Sequence, residues 1–429
     1  MNFAEQQADY ASNERTHPQL TGWAPYAAVL LTSAIVASMI FKVFETSSTG
    51  TLAVQYLIWL LCVIVMVAKV RHGAPNHRLR SKLGVLLTLF LVALVVSTVG
   101  VWLKGVRADT GEMFLQVAAL CYMAVPFFAM QSVSKSEDVK PAVLLTCHII
   151  LGLCLYSIAA DLTGFTSHES GRGRYFGSLG DQTAWVLTLP LLVYFSSGRL
   201  VLAIVTGLTL ALTGSRAPAL VVLAGFLLLM LFSSGRRAQH ALMLLALAAA
   251  SFLQSNVFGT LVSRLEATQF SASDRVVTAS VGLRDFANSP VFGNGYNSLP
   301  YLHPSTAYKI KLGILPSQTS PFVQMLSDGG LVLFVPYFLF MLAATAGGIA
   351  LMKRSREIND GGVTSGIVAW LLAMLWINQS ALWFVVGSYV GPLVLGMAGI
   401  LSGYWARLGS SRPENAYPNV VTRPWPSEK

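Results

Sequence analysis

Apolar runs about twenty residues long recur along almost the whole chain, and each is long enough to cross the hydrocarbon layer of a bilayer. They lie at 23–44, 51–69, 83–103, 111–131, 141–160, 182–197, 199–214, 217–233, 241–257, 321–352, 364–386 and 388–404. A water-facing surface cannot be built around them. Only 11% of the 429 residues are charged and 54% are hydrophobic, against roughly 25% charged in a typical soluble protein. Lipid offers the backbone no hydrogen-bond partner, so each run is read as a helix. The chain is thus expected to be an all-α polytopic membrane protein of about 12 transmembrane helices. A disordered chain, a coiled coil, a disulfide scaffold and a soluble nucleic-acid binder are all excluded, despite a net charge of +10. The tenth run carries Gly329-Gly330 near its start, which predicts a short re-entrant or broken segment followed by a full span.

Lys and Arg placement sets the orientation. With a cytoplasmic N-terminus, the inner segments hold eighteen of the twenty-nine basic residues and nine acids, and the outer segments eleven bases and ten acids. Both termini are therefore expected in the cytoplasm. The resulting division is a tail at 1–22, helices one to nine over 23–257, a large outer loop at 258–320 with short helices, helices ten to twelve over 321–404, and a tail at 405–429. The first tail mixes acids and bases and lacks the features of a cleaved signal, so helix one reads as a retained signal-anchor. The last tail carries Pro413, Pro418, Pro424 and Pro426 and is expected to be disordered. Cys62, Cys121, Cys147 and Cys154 fall inside spans and read as buried apolar side chains.

The spans themselves are dry. His148 is a lone ionisable group well inside a run, and a single histidine is more often a helix–helix hydrogen-bonding group than part of a proton path. No pair of matching Gly/Pro-interrupted spans suggests an inverted-repeat transporter. The outer segments are the polar ones. The 258–320 loop carries Arg264, Asp274, Arg275, Arg284, Asp285 and His303, the loop before helix six carries Arg172, Arg174 and Asp181, and Ser215-Arg216 marks the turn before helix eight. Arginine holds phosphate through a planar fork that never deprotonates, and the abundant phosphates at an outer leaflet belong to lipids and polyprenyl-pyrophosphate carriers. Arg174, Arg216 and Arg275 are the residues expected to bind such a lipid-linked pyrophosphate, with Arg172 secondary. Some of these arginines could instead snorkel to headgroups.

Ser273–Asn288 reads as a helix capped by Ser273 or Asp274, with apolar positions at Val277 and Val281. Arg275 and Arg284 fall about half a turn apart on it, which assigns Arg275 to the site and Arg284 to a structural ion pair. The stretch Ser289 to Tyr296 is a Gly/Pro-punctuated turn that ends the helix.

These residues carry a family likeness. Arg174-Tyr175-Phe176-Gly177 with Asp181-Gln182, then Leu212-Thr213-Gly214-Ser215-Arg216, then Arg275 leading a helix into Pro290, Gly293 and Gly295, and last Gln324 to Leu331 (QMLSDGGL) appear in order. In this the chain resembles the O-antigen ligase and Wzy-type polysaccharide polymerase superfamily of bacterial inner membranes. The resemblance implies a GT-C-like, metal-independent glycosyltransferase without a cofactor. It would act at the periplasmic face on undecaprenyl-pyrophosphate-linked oligosaccharide, transferring the glycan to a sugar hydroxyl with inversion. Ligases of the family carry a histidine eleven residues before the glycine of the last segment; this chain has Thr319 there, followed by Ser320. That difference favours an exopolysaccharide- or capsule-type repeat-unit polymerase. His303, the histidine of the large loop, is a possible substitute for the missing one, or else a solvated loop residue; Asp181 and Asp274 are further candidates to receive the acceptor proton. Arg216 and Arg275 are expected to be catalytic as well as pyrophosphate-binding. Expected partners are the lipid-linked oligosaccharide, membrane lipids, a chain-length regulator and export proteins, with no nucleic acid. The alternatives are an O-antigen ligase acting on lipid A–core and, from another class, a lipid-linked-glycan flippase.

Overall fold

The computed structural model describes residues 24–43, 60, 64, 81–105, 110–133, 136–163, 182–232, 276–304, 320–354, 362–377 and 390–410. No strand occurs among them. We number the described helices α1 (Ala24–Val43), α2 (Lys82–Leu103), α3 (Thr110–Met123), α4 (Val125–Val133), α5 (Ser136–Leu162), α6 (Gln182–Ser196), α7 (Leu200–Leu212), α8 (Arg216–Phe232), α9 (276–288), α10 (Leu299–Leu302), α11 (Pro321–Lys353), α12 (Val363–Ile377) and α13 (Val390–Ser410). The runs at 51–69 and 241–257 lie outside the described residues, Leu60 and Ile64 excepted. Among the described residues, four stretches are long and apolar enough to cross a membrane: Lys82–Leu103, Gly111–Gln131, Val139–Leu162 and Pro321–Lys353. Shorter apolar helices accompany them.

Burial follows from an apolar solvent. In α2, Leu83, Leu87, Phe90, Leu94 and Val101 face the bundle, while Val85, Leu89, Val92, Val95 and Val96 are exposed. An exposed valine and leucine stripe suits lipid rather than water. The centre is made by α6 and α12, in which every residue from Thr183 to Phe195 and from Val363 to Leu375 is buried. Lipid tails are as apolar as leucine, so close packing rather than the hydrophobic effect must join such helices. Small residues provide it: Gly366 lies against the Leu192 carbonyl, and Gly399 lies against that of Phe127. A few polar ties add register. Trp370 Nε1 donates to Thr188 Oγ1 at 2.8 Å, and Tyr194 Oη shares a 2.6 Å hydrogen bond with His148 Nδ1. His148 is thus a helix–helix link between α5 and α6. Cys147 and Cys154 are buried and Cys121 half-buried, all as free thiols; Cys62 lies outside the described residues.

The pairings fix which helix ends lie together. The α6–α7 connection is a tight turn at 197–199, so the two form a hairpin. Helix α12 runs antiparallel to α6, since Gly362 and Gly366 meet Ser196 while Trp370 meets Thr188. It also runs antiparallel to α11, since Gly348 meets Val368 and Leu372 while Trp376 Nε1 donates to Thr345 Oγ1. It follows that the start of α6, the Thr213–Ser215 turn, the start of α8 and the start of the longer limb of α11, after Gly330, all point to one end of the bundle.

Helix α11 is broken at Gly330, whose φ of 59° and ψ of −158° interrupt the helical path. The Phe322 ring lies 6.3 Å from Phe334, 5.9 Å from Tyr337 and 6.3 Å from Phe338. In a straight helix, twelve residues would separate Phe322 from Phe334 by about 18 Å. The arm Pro321–Gly329 therefore folds back on the span that follows, as the Gly329-Gly330 pair predicted, and Gly330 is its apex.

Candidate active site

A glycine at the apex is required on two counts. Its backbone lies in a region essentially reserved for glycine, and a Cβ there would collide with the Val291 carbonyl. The colliding segment is the turn after α9, which crosses the apex. Gly293, at φ +65°, meets the Asp328–Gly329 peptide with the same closeness. The apex leaves helix-end backbone groups without intrahelical partners, and the turn satisfies them. Leu331 N donates to Pro290 O at 2.8 Å and Val332 N to Val291 O at 3.1 Å. In return Asn294 N donates to Ser327 O at 3.0 Å and Gly295 N to Asp328 O at 2.8 Å. The Asn294 side chain spans both partners, donating to Asp285 O and Ser327 O at 3.1 Å each. From the other flank, Ser97 Oγ of α2 donates to Phe292 O at 2.7 Å, and Lys104 Nζ sits 5.5 Å from the Phe292 ring centroid.

Asp328 is the polar centre of this assembly. It is buried, and its carboxylate accepts from Asn297 N at 2.9 Å, Ser298 N at 3.1 Å and Ser298 Oγ at 2.8 Å. Charge-assisted bonds of this kind are the strong ones. Beside it Tyr296 is buried, and burial first, then the Asp328 charge, push its phenol above the ordinary range. No motif of catalysis marked Asp328 in the sequence. The signal was present all the same: besides His148, Asp328 is an ionisable group well inside an apolar run, and it stands immediately before a glycine pair.

Helix α9 buries Thr278, Gly282 and Asp285, and Gly282 lies against Val323 and Ser327 of the folded-back arm. This corrects the expected apolar face: Val277 is exposed and Val281 half-buried. Period alone pointed to the valines, but close contact with the arm selects the small and polar positions. Arg284 is exposed, and among the described residues it is its neighbour Asp285 that makes an ion pair, its two carboxylate oxygens 2.8 and 3.0 Å from His303 Nε2. His303 ends the short helix α10, its N–H bonded to Leu299 O at 3.0 Å.

Arg216 is the first residue of α8, directly after the Thr213–Ser215 turn, where Gly214 takes φ +57°. The structure thus brings the Arg216 backbone to the same end of the bundle as His303 and the apex. Arg172, Arg174, Asp181, Asp274, Arg275 and Thr319 lie outside the described residues. Among the described residues no group of three or more His, Cys, Asp or Glu could hold a metal ion.

No curated protein matches the chain. Residues 201–338, which run from α7 through the Ser215-Arg216 turn, α9 and the Gly330 apex, match the family model described as O-antigen ligase, and over this segment the chain is similar to that family.

Proposed function

We propose that this protein polymerises undecaprenyl-pyrophosphate-linked oligosaccharide repeat units at the periplasmic face of a bacterial inner membrane, as an exopolysaccharide- or capsule-type polymerase. The observation that supports the reading is the juxtaposition, within the matched segment, of the Ser215-Arg216 turn and the locked apex at one end of the bundle. On this reading the 258–320 loop is periplasmic, both tails are cytoplasmic, and chain-length and export proteins act beside the enzyme.

The reaction joins the anomeric carbon of the donor glycan to a hydroxyl of the next lipid-linked unit, with inversion. The glycosyl–pyrophosphate bond breaks as the new bond forms, and the pair of electrons leaves with the pyrophosphate. Because that leaving group is already good, rate comes from stabilising the charge that develops on it. Arg174, Arg216 and Arg275 supply that stabilisation through bidentate forks, with Arg172 behind them, and the chemistry needs no metal. The acceptor proton goes to a nearby base, for which Asp181, Asp274 and His303 are the candidates. Thr319 stands where the ligases of the family place a histidine, and this supports polymerisation over ligation.

Incubating the purified chain with lipid-linked repeat units tests the reading. A ladder of longer glycans with release of lipid pyrophosphate is expected; the absence of both would sink it. The family description itself favours a second reading, transfer of the glycan to lipid A–core. Deleting the gene separates the two. Loss of high-mass polysaccharide with intact lipopolysaccharide supports the polymerase, and loss of capped core alone supports the ligase.

A further inference from the structure

Besides Lys104 on the Phe292 ring, the described residues of the apex assembly include four side chains able to exchange a proton, Asp328, Tyr296, Asp285 and His303, and three of these are occupied or sealed. The Asp328 carboxylate is buried and takes three hydrogen bonds from Asn297 and Ser298. Tyr296 is buried under the same turn, its phenol held protonated by burial and by the Asp328 charge. Asp285 is 7% exposed and spends both oxygens on one nitrogen of His303. His303 alone of the four keeps a substantial exposed fraction, 30% of its side chain.

An ionised carboxylate only accepts hydrogen bonds. The nitrogen facing Asp285 must therefore carry the hydrogen, so Nε2–H donates. In the neutral ring the other nitrogen, Nδ1, then holds the free lone pair, and the partner of one nitrogen sets the role of the other. The ring is also held by its backbone. His303 N bonds to Leu299 O at 3.0 Å, and the turn leading to it is fastened to Asp328 through Asn297 and Ser298. Asp285 is fixed in turn: its carbonyl accepts from Asn294 Nδ2 at 3.1 Å and from Ser289 N at 3.2 Å. A carboxylate, a singly oriented imidazole and a rigid support are the parts of a general base with its orienting group.

Resting on the glycosyl-transfer reading above, we propose that His303 is the general base of the reaction and Asp285 the residue that positions it. His303 Nδ1 accepts the proton of the acceptor hydroxyl as that oxygen bonds to the anomeric carbon and the bond to pyrophosphate breaks. The imidazolium so formed is stabilised by the Asp285 carboxylate on Nε2, which itself stays ionised. The proton is then lost to water, restoring the neutral ring. The histidine that ligases of this family carry at the position of Thr319 would thus have its role taken by a histidine from a different segment.

The test uses the full chain in lipid nanodiscs with purified lipid-linked repeat units, measuring initial rates over a range of acceptor concentrations. His303→Ala and His303→Gln should each lower kcat by roughly a hundredfold, the lower range for a general base, with the acceptor KM shifting little. Added imidazole should restore part of the His303→Ala rate. Asp285→Asn keeps the shape but lets the ring adopt the wrong tautomer, a change known to be severe in other histidine–aspartate pairs, and should cost roughly tenfold or more. The double variant Asp285→Asn/His303→Gln should be no slower than His303→Gln alone, because the two act as a unit. Melting temperatures should stay near wild type. The proposal is overturned if His303→Ala keeps the wild-type kcat. It is equally overturned if the loss is insensitive to imidazole and accompanied by a lowered melting temperature, the signature of a purely structural ion pair. A wild-type protein that forms no glycosidic bond overturns the glycosyl-transfer reading and the pair together; an active wild type with active variants overturns the pair alone.

Discussion

The Ser298 hydroxyl donates a 2.8 Å hydrogen bond to the Asp328 carboxylate, joining a loop to the turning point of an apolar folded-back arm thirty residues further along the chain. The Ser298 and Asn297 backbone N–H groups donate to the same carboxylate. One acid therefore determines where the loop that carries His303 meets α11.

Replacing Asp328 with Ala should be far more damaging than replacing it with Asn. The Ala variant leaves two backbone donors and a hydroxyl unpaired in a buried place, at about 1–3 kcal/mol for each unsatisfied group. Asn retains an acceptor and should recover a large part of that loss. Thermal unfolding in detergent and the yield of extracted protein measure the difference, and equal losses in the two variants would contradict the hydrogen-bond account.

Gly330→Ala should prevent the apex from closing. The positive φ and the Val291 carbonyl both oppose a Cβ, and a backbone strain of about 1–3 kcal/mol is added to the steric conflict. Membrane yield should collapse. A Gly330→Ala protein with wild-type melting would mean that the break in α11 is not needed.

Arg216→Ala and Arg275→Ala should each reduce turnover by about 3 kcal/mol of transition-state stabilisation, the amount typical of a lost oxyanion donor. Lysine should rescue poorly because it lacks the bidentate fork. Arg284→Ala, at an exposed position, should leave both rate and stability within about 0.5 kcal/mol of wild type. Initial rates of lipid pyrophosphate release discriminate the three, and full activity in an Arg216 or Arg275 variant would remove that residue from the site.

Tyr194→Phe removes the hydroxyl that meets His148 Nδ1 between α5 and α6. It should cost about 1 kcal/mol of stability, the net worth of one hydrogen bond, and leave turnover unchanged. A large fall in rate at unchanged stability would instead give the pair a part in the chemistry.

The helices of this protein are legible because their cause is local. Lipid forces each apolar run to satisfy its own backbone, so Lys82–Leu103, Gln182–Ser196 and Leu200–Leu212 coincide with runs read at 83–103, 182–197 and 199–214. The break in α11 is expected at Gly329-Gly330, whereas a second pair in the same run, Gly347-Gly348, stays helical and lets α12 and α13 pack closely. The face that α9 buries was not legible, because its valines and its Thr278–Gly282–Asp285 stripe are both plausible helical faces and the folded-back arm chose between them. Nor could any spacing rule pair Asp285 with His303 or Ser298 with Asp328. Those contacts join segments whose separation in sequence carries no information about their distance in space. Local hydrophobicity and backbone self-sufficiency thus specify the spans, while the proton-carrying and charge-fastening groups acquire partners only when three separate segments converge on the apex of α11.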